Sequence, residues 1–175
     1  MIPTARTGGR LRKALDGLYA GTGALAALAI LAIFLLMLGQ AIGRELGINI
    51  KGAVELTSWS NASAAFLGLA YAFKHGDIIR VGLALDRLSG SRRRVAEIVC
   101  LMIGVVAAAY AVWAAVGYVL QSWRMNELAD GLLVVPMWIP QMAMVCGLIV
   151  FLIAVVDELV RVIAGHTPTY RLAVA

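Results

Sequence analysis

The side chains that could ligate a metal or carry thiol or acid–base chemistry are few and far apart in this sequence. The histidines are His75 and His166, and the cysteines are Cys100 and Cys146. The chain contains no CxxC pair and no HExxH, GxxxxGK[ST] or GxSxG motif. The pattern therefore predicts no enzyme, no metal site and no cofactor, and we expect the two lone cysteines to be small core residues.

The carboxylates, which a transporter would use to carry cations, flank the most apolar stretches and do not interrupt them. Four stretches lack Asp, Glu, Lys and Arg altogether, namely residues 18–42, 56–73, 98–123 and 132–156. Pumps and proton-coupled exchangers normally accept the cost of a charged residue inside the membrane. The sequence accordingly indicates no ion or substrate path of the chain's own.

The same four stretches are the elements that must position every other residue. The chain is 62% hydrophobic and 14% charged, whereas a soluble domain carries about 25% charged residues. Even the shortest stretch spans roughly 27 Å as a helix, close to the ~30 Å of a bilayer's hydrocarbon core. None alternates as a barrel strand would. We predict an all-α integral membrane protein, a single membrane domain over residues 1–175 with four transmembrane helices.

The first apolar stretch is too long for a signal peptide, whose apolar core has about 7–15 residues. We interpret it as an uncleaved first span, preceded by a short N-terminal interfacial helix that carries Arg6, Arg10, Arg12 and Lys13.

The distribution of Lys and Arg predicts the orientation of the spans. The N-terminal tail, the 74–97 loop and the C-terminal tail hold twelve of these residues, and the two other flanks hold three. Basic flanks stay preferentially in the cytoplasm. We therefore expect both termini and the 74–97 loop to be cytoplasmic.

The 74–97 loop is amphipathic as well as basic. Ile78, Val81, Leu85 and Leu88 share one helical face, although neighbouring residues also alternate as in a strand. The context favours a short helix at the cytoplasmic interface. Arg92, Arg93 and Arg94 follow it and are expected to anchor the chain to anionic lipid headgroups. Nucleic acid is not an expected partner, because the loop lacks interleaved aromatic residues.

Small residues recur at helical spacing in two spans and could form close helix contacts. They either hold the chain's own bundle together or dock another membrane protein, and Asn61 among them is expected to hydrogen-bond a neighbouring helix. Near the outer rim, Pro136 and Pro140 mark the first turns of span four or shape an outer binding surface. The small-residue positions are Asn61, Ala65, Gly68 and Ala72 in span two and Gly104, Ala108, Ala111 and Ala115 in span three.

Several motifs in this order resemble the small membrane subunit of tripartite ATP-independent periplasmic (TRAP) transporters, the DctQ-like family. Glu55 precedes span two, and FLGLAYAFKHG follows with Gly68 thirteen positions later. A G-x-x-I-x-V core begins at Gly76, and LDRLSGSRRR and VVPMWIP complete the match. The resemblance covers roughly residues 15–165. The chain departs from the family pattern at Ser58, Ile78 and Gly82.

The resemblance implies a non-enzymatic accessory subunit that braces a large multi-span membrane subunit. Together with the basic flanks, it implies a location in a bacterial or archaeal inner membrane. In that family the large subunit carries the substrate and sodium sites, and a periplasmic solute-binding protein delivers the solute. The resemblance and the small-residue positions together nominate interface or scaffold residues. No catalytic, cofactor-binding or metal-binding residue is among them. They are Glu55, Trp59, Asn61, Gly68, Gly76, Arg80, Gly104, Ala108, Ala111 and Pro140.

Two other classes of protein remain as alternatives at this point. A self-sufficient four-helix transporter acting as a homodimer would need an acidic residue within its first span, and residues 18–42 contain none. An intramembrane redox or hydrolytic enzyme would need a paired cysteine or a nucleophile motif, and the sequence has neither.

Overall fold

The computed structural model describes residues 9–48, 50–75 and 91–165, and this part of the chain is helical. Its four helices are α1 (Arg10–Glu45), α2 (Ala53–His75), α3 (Ser91–Arg124) and α4 (Trp138–Ile163). Within the described ranges no strand forms, and the one antiparallel bridge joins Leu128 to Pro136. The prediction of an all-α protein is confirmed.

Three of these helices, α1, α3 and α4, are long and apolar enough to cross a membrane. The remaining helix, α2, has 23 residues and so measures about 35 Å, slightly more than the hydrocarbon core. Its serines and Asn61 make it more polar than the others. The structure is thus compatible with four spans. The crossing of the membrane by α2 stays a prediction.

Two predicted boundaries are wrong. Arg10, Arg12 and Lys13 lie in the first turns of α1 itself, so they do not belong to a separate interfacial helix. At the other end of the chain, α4 begins at Trp138, six residues after the predicted start of span four at 132. Pro136 explains the delay, because a residue before proline avoids the helical conformation. The predicted amphipathic segment and Arg6 lie outside the described residues.

The helices lie in the spatial order α1, α2, α4, α3. α1 and α2 are antiparallel and meet where Gly23 faces Tyr71 and Gly68 faces Ala26. α2 and α4 run in the same direction, and α3 packs antiparallel to α4. α1 reaches α4 along a short contact only. Both outer helices, α1 and α3, consequently leave broad apolar faces uncovered by the chain.

The buried side chains form two clusters along the central helices. At the end where α2 and α4 terminate, Tyr19, Phe73 and Ala154 belong to one cluster. At the opposite end, Ala115 and Val119 of α3 pack with Val145 and Leu148 of α4. α4 contributes to both clusters and has the largest set of buried residues. It is therefore the central helix of the described fold.

The cysteines do not belong to this core. Cys100 and Cys146 are free thiols on exposed parts of α3 and α4. The expectation that they would be core residues is wrong, since both residues are exposed.

The backbones of α2 and α4 approach each other closely at Gly147. A Cβ atom added to this glycine would overlap the carbonyl group of Phe66 and approach the amide nitrogen of Leu67 to 2.9 Å. Those atoms belong to the backbone of α2 and cannot move without displacing the helix. Gly147 is therefore required for α2 and α4 to pack at this distance.

We expect Gly147→Val to destabilise the protein by about 1–3 kcal/mol, the usual penalty for overpacking a core. The measurement is thermal unfolding of the purified chain in mild detergent. Gly117→Ala is the matched control, because a Cβ atom at Gly117 meets no atom within 4 Å. Equal melting temperatures for Gly147→Val and the wild type would contradict the role of this contact.

Candidate functional site

Glu55 and Trp59, two of the nominated residues, lie one turn apart at the start of α2. They line an open groove of about 390 Å³ with Tyr118 of α3 and with residues 127–130 and Met137. The groove wall thus combines α2, α3 and the segment that leads into α4. Two further nominated residues, Gly76 and Arg80, lie outside the described residues.

Glu55 ties α2 to the segment before α4. Its carboxylate Oε1 accepts a hydrogen bond of 2.9 Å from the backbone N–H of Leu132. This bond holds the pKa of Glu55 below its usual value, because it stabilises the charged form. Gly131 lies so close that a Cβ atom there would overlap the carboxylate.

A buried polar chain, which the sequence analysis missed, supports the same segment from the other side. Gln141 Nε2 donates to Ser122 Oγ over 3.1 Å, and Ser122 donates to the carboxylate of Glu127 over 2.7 Å. The Glu127 carbonyl in turn accepts from the N–H of Met137. Pro140 stands in the first turn of α4, where its missing N–H costs no helical bond. Side-chain hydrogen bonds therefore connect α2, α3 and α4 at this end of the bundle.

The small-residue seams divide into internal and exposed positions. In α3, Gly104 faces Val155 of α4, and Ala108 is buried. Ala111 packs against the core cluster that contains Ala115 and Val145. In α2, Gly68 faces Ala26 of α1, whereas Asn61 and Ala65 are exposed. The α3 seam thus contributes to the chain's own bundle, and only the outer half of the α2 seam is open.

At the opposite end, one ammonium group joins three helices. Lys74 of α2 forms ion pairs with Asp157 and, at 3.2 Å, with Glu158 of α4. Its Nζ also lies 5.1 Å from the ring centre of Tyr19 in α1, within range of a cation–π interaction. The Lys74 side chain is 7% exposed and that of Glu158 is 1% exposed. We call these four residues the Lys74 cluster.

Sequence reasoning missed the Lys74 cluster although a signal was present. Lys74 directly follows one uncharged stretch, and Asp157 and Glu158 directly follow another. Because α2 and α4 run in the same direction, the ends of these two stretches lie at the same level, and opposite charges there can meet. Among the described residues no three His, Cys, Asp or Glu side chains are placed to hold a metal ion.

Lys74→Met should destabilise the protein by about 3–5 kcal/mol, because it removes the ammonium group that pairs with the buried Glu158 carboxylate. Thermal unfolding in detergent measures this, and Lys51→Met, an exposed lysine at the other end, is the control. Adding Glu158→Gln to Lys74→Met should restore part of the loss. A Lys74→Met protein as stable as the wild type would overturn the ion-pair assignment.

The Glu55 bond predicts a pH-dependent difference between the wild type and Glu55→Gln. The lowered pKa means that the carboxylate stabilises the fold above the ordinary glutamate pKa of about 4.3. That contribution is lost as pH falls through the lower folded-state pKa. The gap in melting temperature should therefore narrow toward acid pH.

The matched control is Glu45→Gln, an exposed glutamate in the last turn of α1. It should show no comparable narrowing. A gap for Glu55→Gln that stays constant from neutral to acid pH would show that the charge of Glu55 has no part in holding Leu132.

Comparison with known proteins places this architecture in a family. No curated protein matches the chain. A family model, described as the DctQ component of tripartite ATP-independent periplasmic transporters, matches residues 33–165. The match spans 133 of 175 residues and includes the outer part of α1 and all of α2, α3 and α4. The chain therefore belongs to the DctQ family and is a small component of a TRAP transporter, as the motifs around Glu55, Gly68 and Pro140 predicted.

Proposed function

We propose that this chain is an accessory subunit that braces the large membrane subunit of its transporter. In this proposal the large subunit takes up an organic acid. A periplasmic binding protein delivers this solute, and uptake is coupled to sodium. The rigid α2–α4 pair supports such a role, because Gly147 and the Lys74 cluster fix these two helices at separate levels. A bracing element has to resist relative movement of its own helices.

The exposure of Asn61 is the observation that carries this proposal. The residue lies within the uncharged stretch 56–73, about 9 Å along the helix axis from Glu55, and its side chain is exposed. No described residue hydrogen-bonds to it. An amide facing hydrocarbon is costly, so a partner that supplies a hydrogen bond there is favoured over lipid.

The neighbours of Asn61 fit a protein partner. Ser58, Ala62 and Ala65 are exposed on the same side of α2, and small residues allow another helix to approach closely. We define Ser58, Asn61, Ala62 and Ala65 as the α2 docking seam and propose that the large subunit contacts it. Glu55 and Trp59 would extend the contact to the outer rim.

We further propose that all four helices cross the inner membrane and that both termini are cytoplasmic. The start of α1 and the ends of α2 and α4 meet at the Lys74 cluster, and the start of α3 reaches the end of α4 through Arg94. The helices therefore alternate in direction along the chain, as four consecutive crossings require. The basic residues near this end favour its placement on the cytoplasmic side.

Ala65→Trp should abolish recovery of the large subunit, because an indole at this position blocks close approach of a second helix. The measurement is a mild-detergent pull-down of the tagged chain from its native membrane, with identification by mass spectrometry. The isolated variant should unfold at the wild-type temperature, since Ala65 is exposed in the chain alone.

Val106→Trp on α3 is the matched control and should still recover the large subunit, because Val106 is exposed on a different helix. Retention by Ala65→Trp would remove the α2 docking seam from the interface. Recovery of the wild type alone or as a homodimer would instead contradict the accessory role and favour a self-sufficient small transporter.

A further inference from the structure

α3 has two opposite faces, and the fold uses one of them. Leu101, Ala108, Ala115 and Val119 are buried against α4. At 100° per residue, the opposite side of the helix carries a strip about 80° wide. Its side chains are 51–72% exposed. We define these residues as the α3 outer stripe: Val95, Val99, Ile103, Val106, Tyr110 and Trp113.

The three consecutive arginines before this stripe point in different directions, because successive helical residues are 100° apart. Arg93 turns toward Glu97 and pairs with it at 3.2 Å. Arg94 donates to the carbonyl of Ile163 over 2.7 Å and so caps the end of α4. Arg92 alone lies in line with the α3 outer stripe. It is exposed and pairs with no described acidic residue.

The end of the molecule that carries Arg92 is strongly basic. Within the described ranges this end holds eight Lys and Arg against four Asp and Glu, whereas the other end holds three against four. Lys74 and Arg93 are neutralised internally. The remaining excess is complementary to an anionic surface, and Arg92 is its outward-facing member on α3.

The length of α3 places Arg92 at headgroup level. Arg92 and the exposed Trp123 are 31 residues apart, which is about 46 Å along the helix. A bilayer with its headgroups is about 40–45 Å thick. With tryptophan at one interface, Arg92 reaches the opposite headgroups and the stripe lies beside the acyl chains.

We propose that Arg92 and the α3 outer stripe form a binding surface for an anionic phospholipid of the cytoplasmic leaflet. The Arg92 guanidinium donates hydrogen bonds to the lipid phosphate, and Val95 and Val99 contact the acyl chains. Arg93 and Arg94 serve the fold instead. The choice of the cytoplasmic leaflet rests on the orientation proposed above, but the assignment does not depend on the α2 docking seam, which lies on another helix.

Binding is measured on the purified full-length chain by native mass spectrometry and thermal stabilisation with phosphatidylglycerol. Arg92→Gln should bind about fivefold more weakly, the factor that corresponds to about 1 kcal/mol per arginine near an anionic surface. Arg92→Lys should retain most of the binding. Arg124→Gln is the matched control, an exposed arginine at the other end of the same helix.

Three outcomes would overturn the proposal. Equal losses in Arg92→Gln and Arg124→Gln would show a non-specific charge effect. Equal binding of phosphatidylcholine would remove the role of the anionic headgroup. Competition by millimolar inorganic phosphate would indicate a free-phosphate site and not a lipid site.

A second measurement identifies what covers the stripe in the assembled transporter. A spin label at Val99→Cys, with both native cysteines replaced by serine, is placed in the complex in phosphatidylglycerol nanodiscs. High accessibility to oxygen, which concentrates among acyl chains, supports lipid contact. Low oxygen accessibility that appears only when the large subunit is present would show that protein covers this face and would contradict the proposal. This outcome does not depend on the pull-down result for Ala65→Trp.

Discussion

Within the part of the chain that the structure describes, the polar contacts of Lys74 join three of the four helices at one point. An ammonium group buried with two carboxylates is stable only while all partners stay in place, because removal of one leaves an uncompensated charge. Lys74 comes from α2, Asp157 and Glu158 come from α4, and Tyr19 brings α1 to the same point. α3 is attached indirectly, through the Arg94 bond to the end of α4. One end of the bundle is thus held by charge in a largely buried setting.

The other end is held by different means. Glu55 binds the backbone of Leu132, and the chain from Gln141 through Ser122 to Glu127 supports the same segment from α3 and α4. Between the two ends, Gly147 lets α2 and α4 approach until backbone meets backbone. The central helices therefore form a stiff pair, whereas α1 and α3 lie along its edges and expose most of their apolar side chains.

This division suits a subunit of a larger membrane assembly. The row of four helices offers long faces, and the faces differ in chemistry. The outer half of α2 presents serine, alanine and an amide, which suit another helix. The far side of α3 presents valine, isoleucine and aromatic residues below a single outward arginine, which suit lipid. Membership of the DctQ family makes this chain a small component of a transporter, and the two proposals assign one partner to each face.

The sequence alone determined the class of the protein and its family. In a membrane, the backbone N–H and C=O groups of a long uncharged stretch that does not alternate as a barrel strand form their hydrogen bonds within a helix. This is a local property that can be read from the linear sequence. The motifs around Glu55, Gly68 and Pro140 likewise survive in linear order. The start of α4 was missed because Pro136 outweighs hydropathy locally.

Only the tertiary structure decided which residues act together. Lys74 and Glu158 are 84 positions apart, and their pairing follows from the parallel course of α2 and α4. Three adjacent arginines looked equivalent in the sequence. Successive residues are rotated by about 100° around the helix axis, so each arginine has different neighbours. Small residues in α2 and α3 also looked alike, but one seam is covered by α4 and half of the other is open. Composition sets what a helix can contact, and the orientation of its faces determines what it does contact.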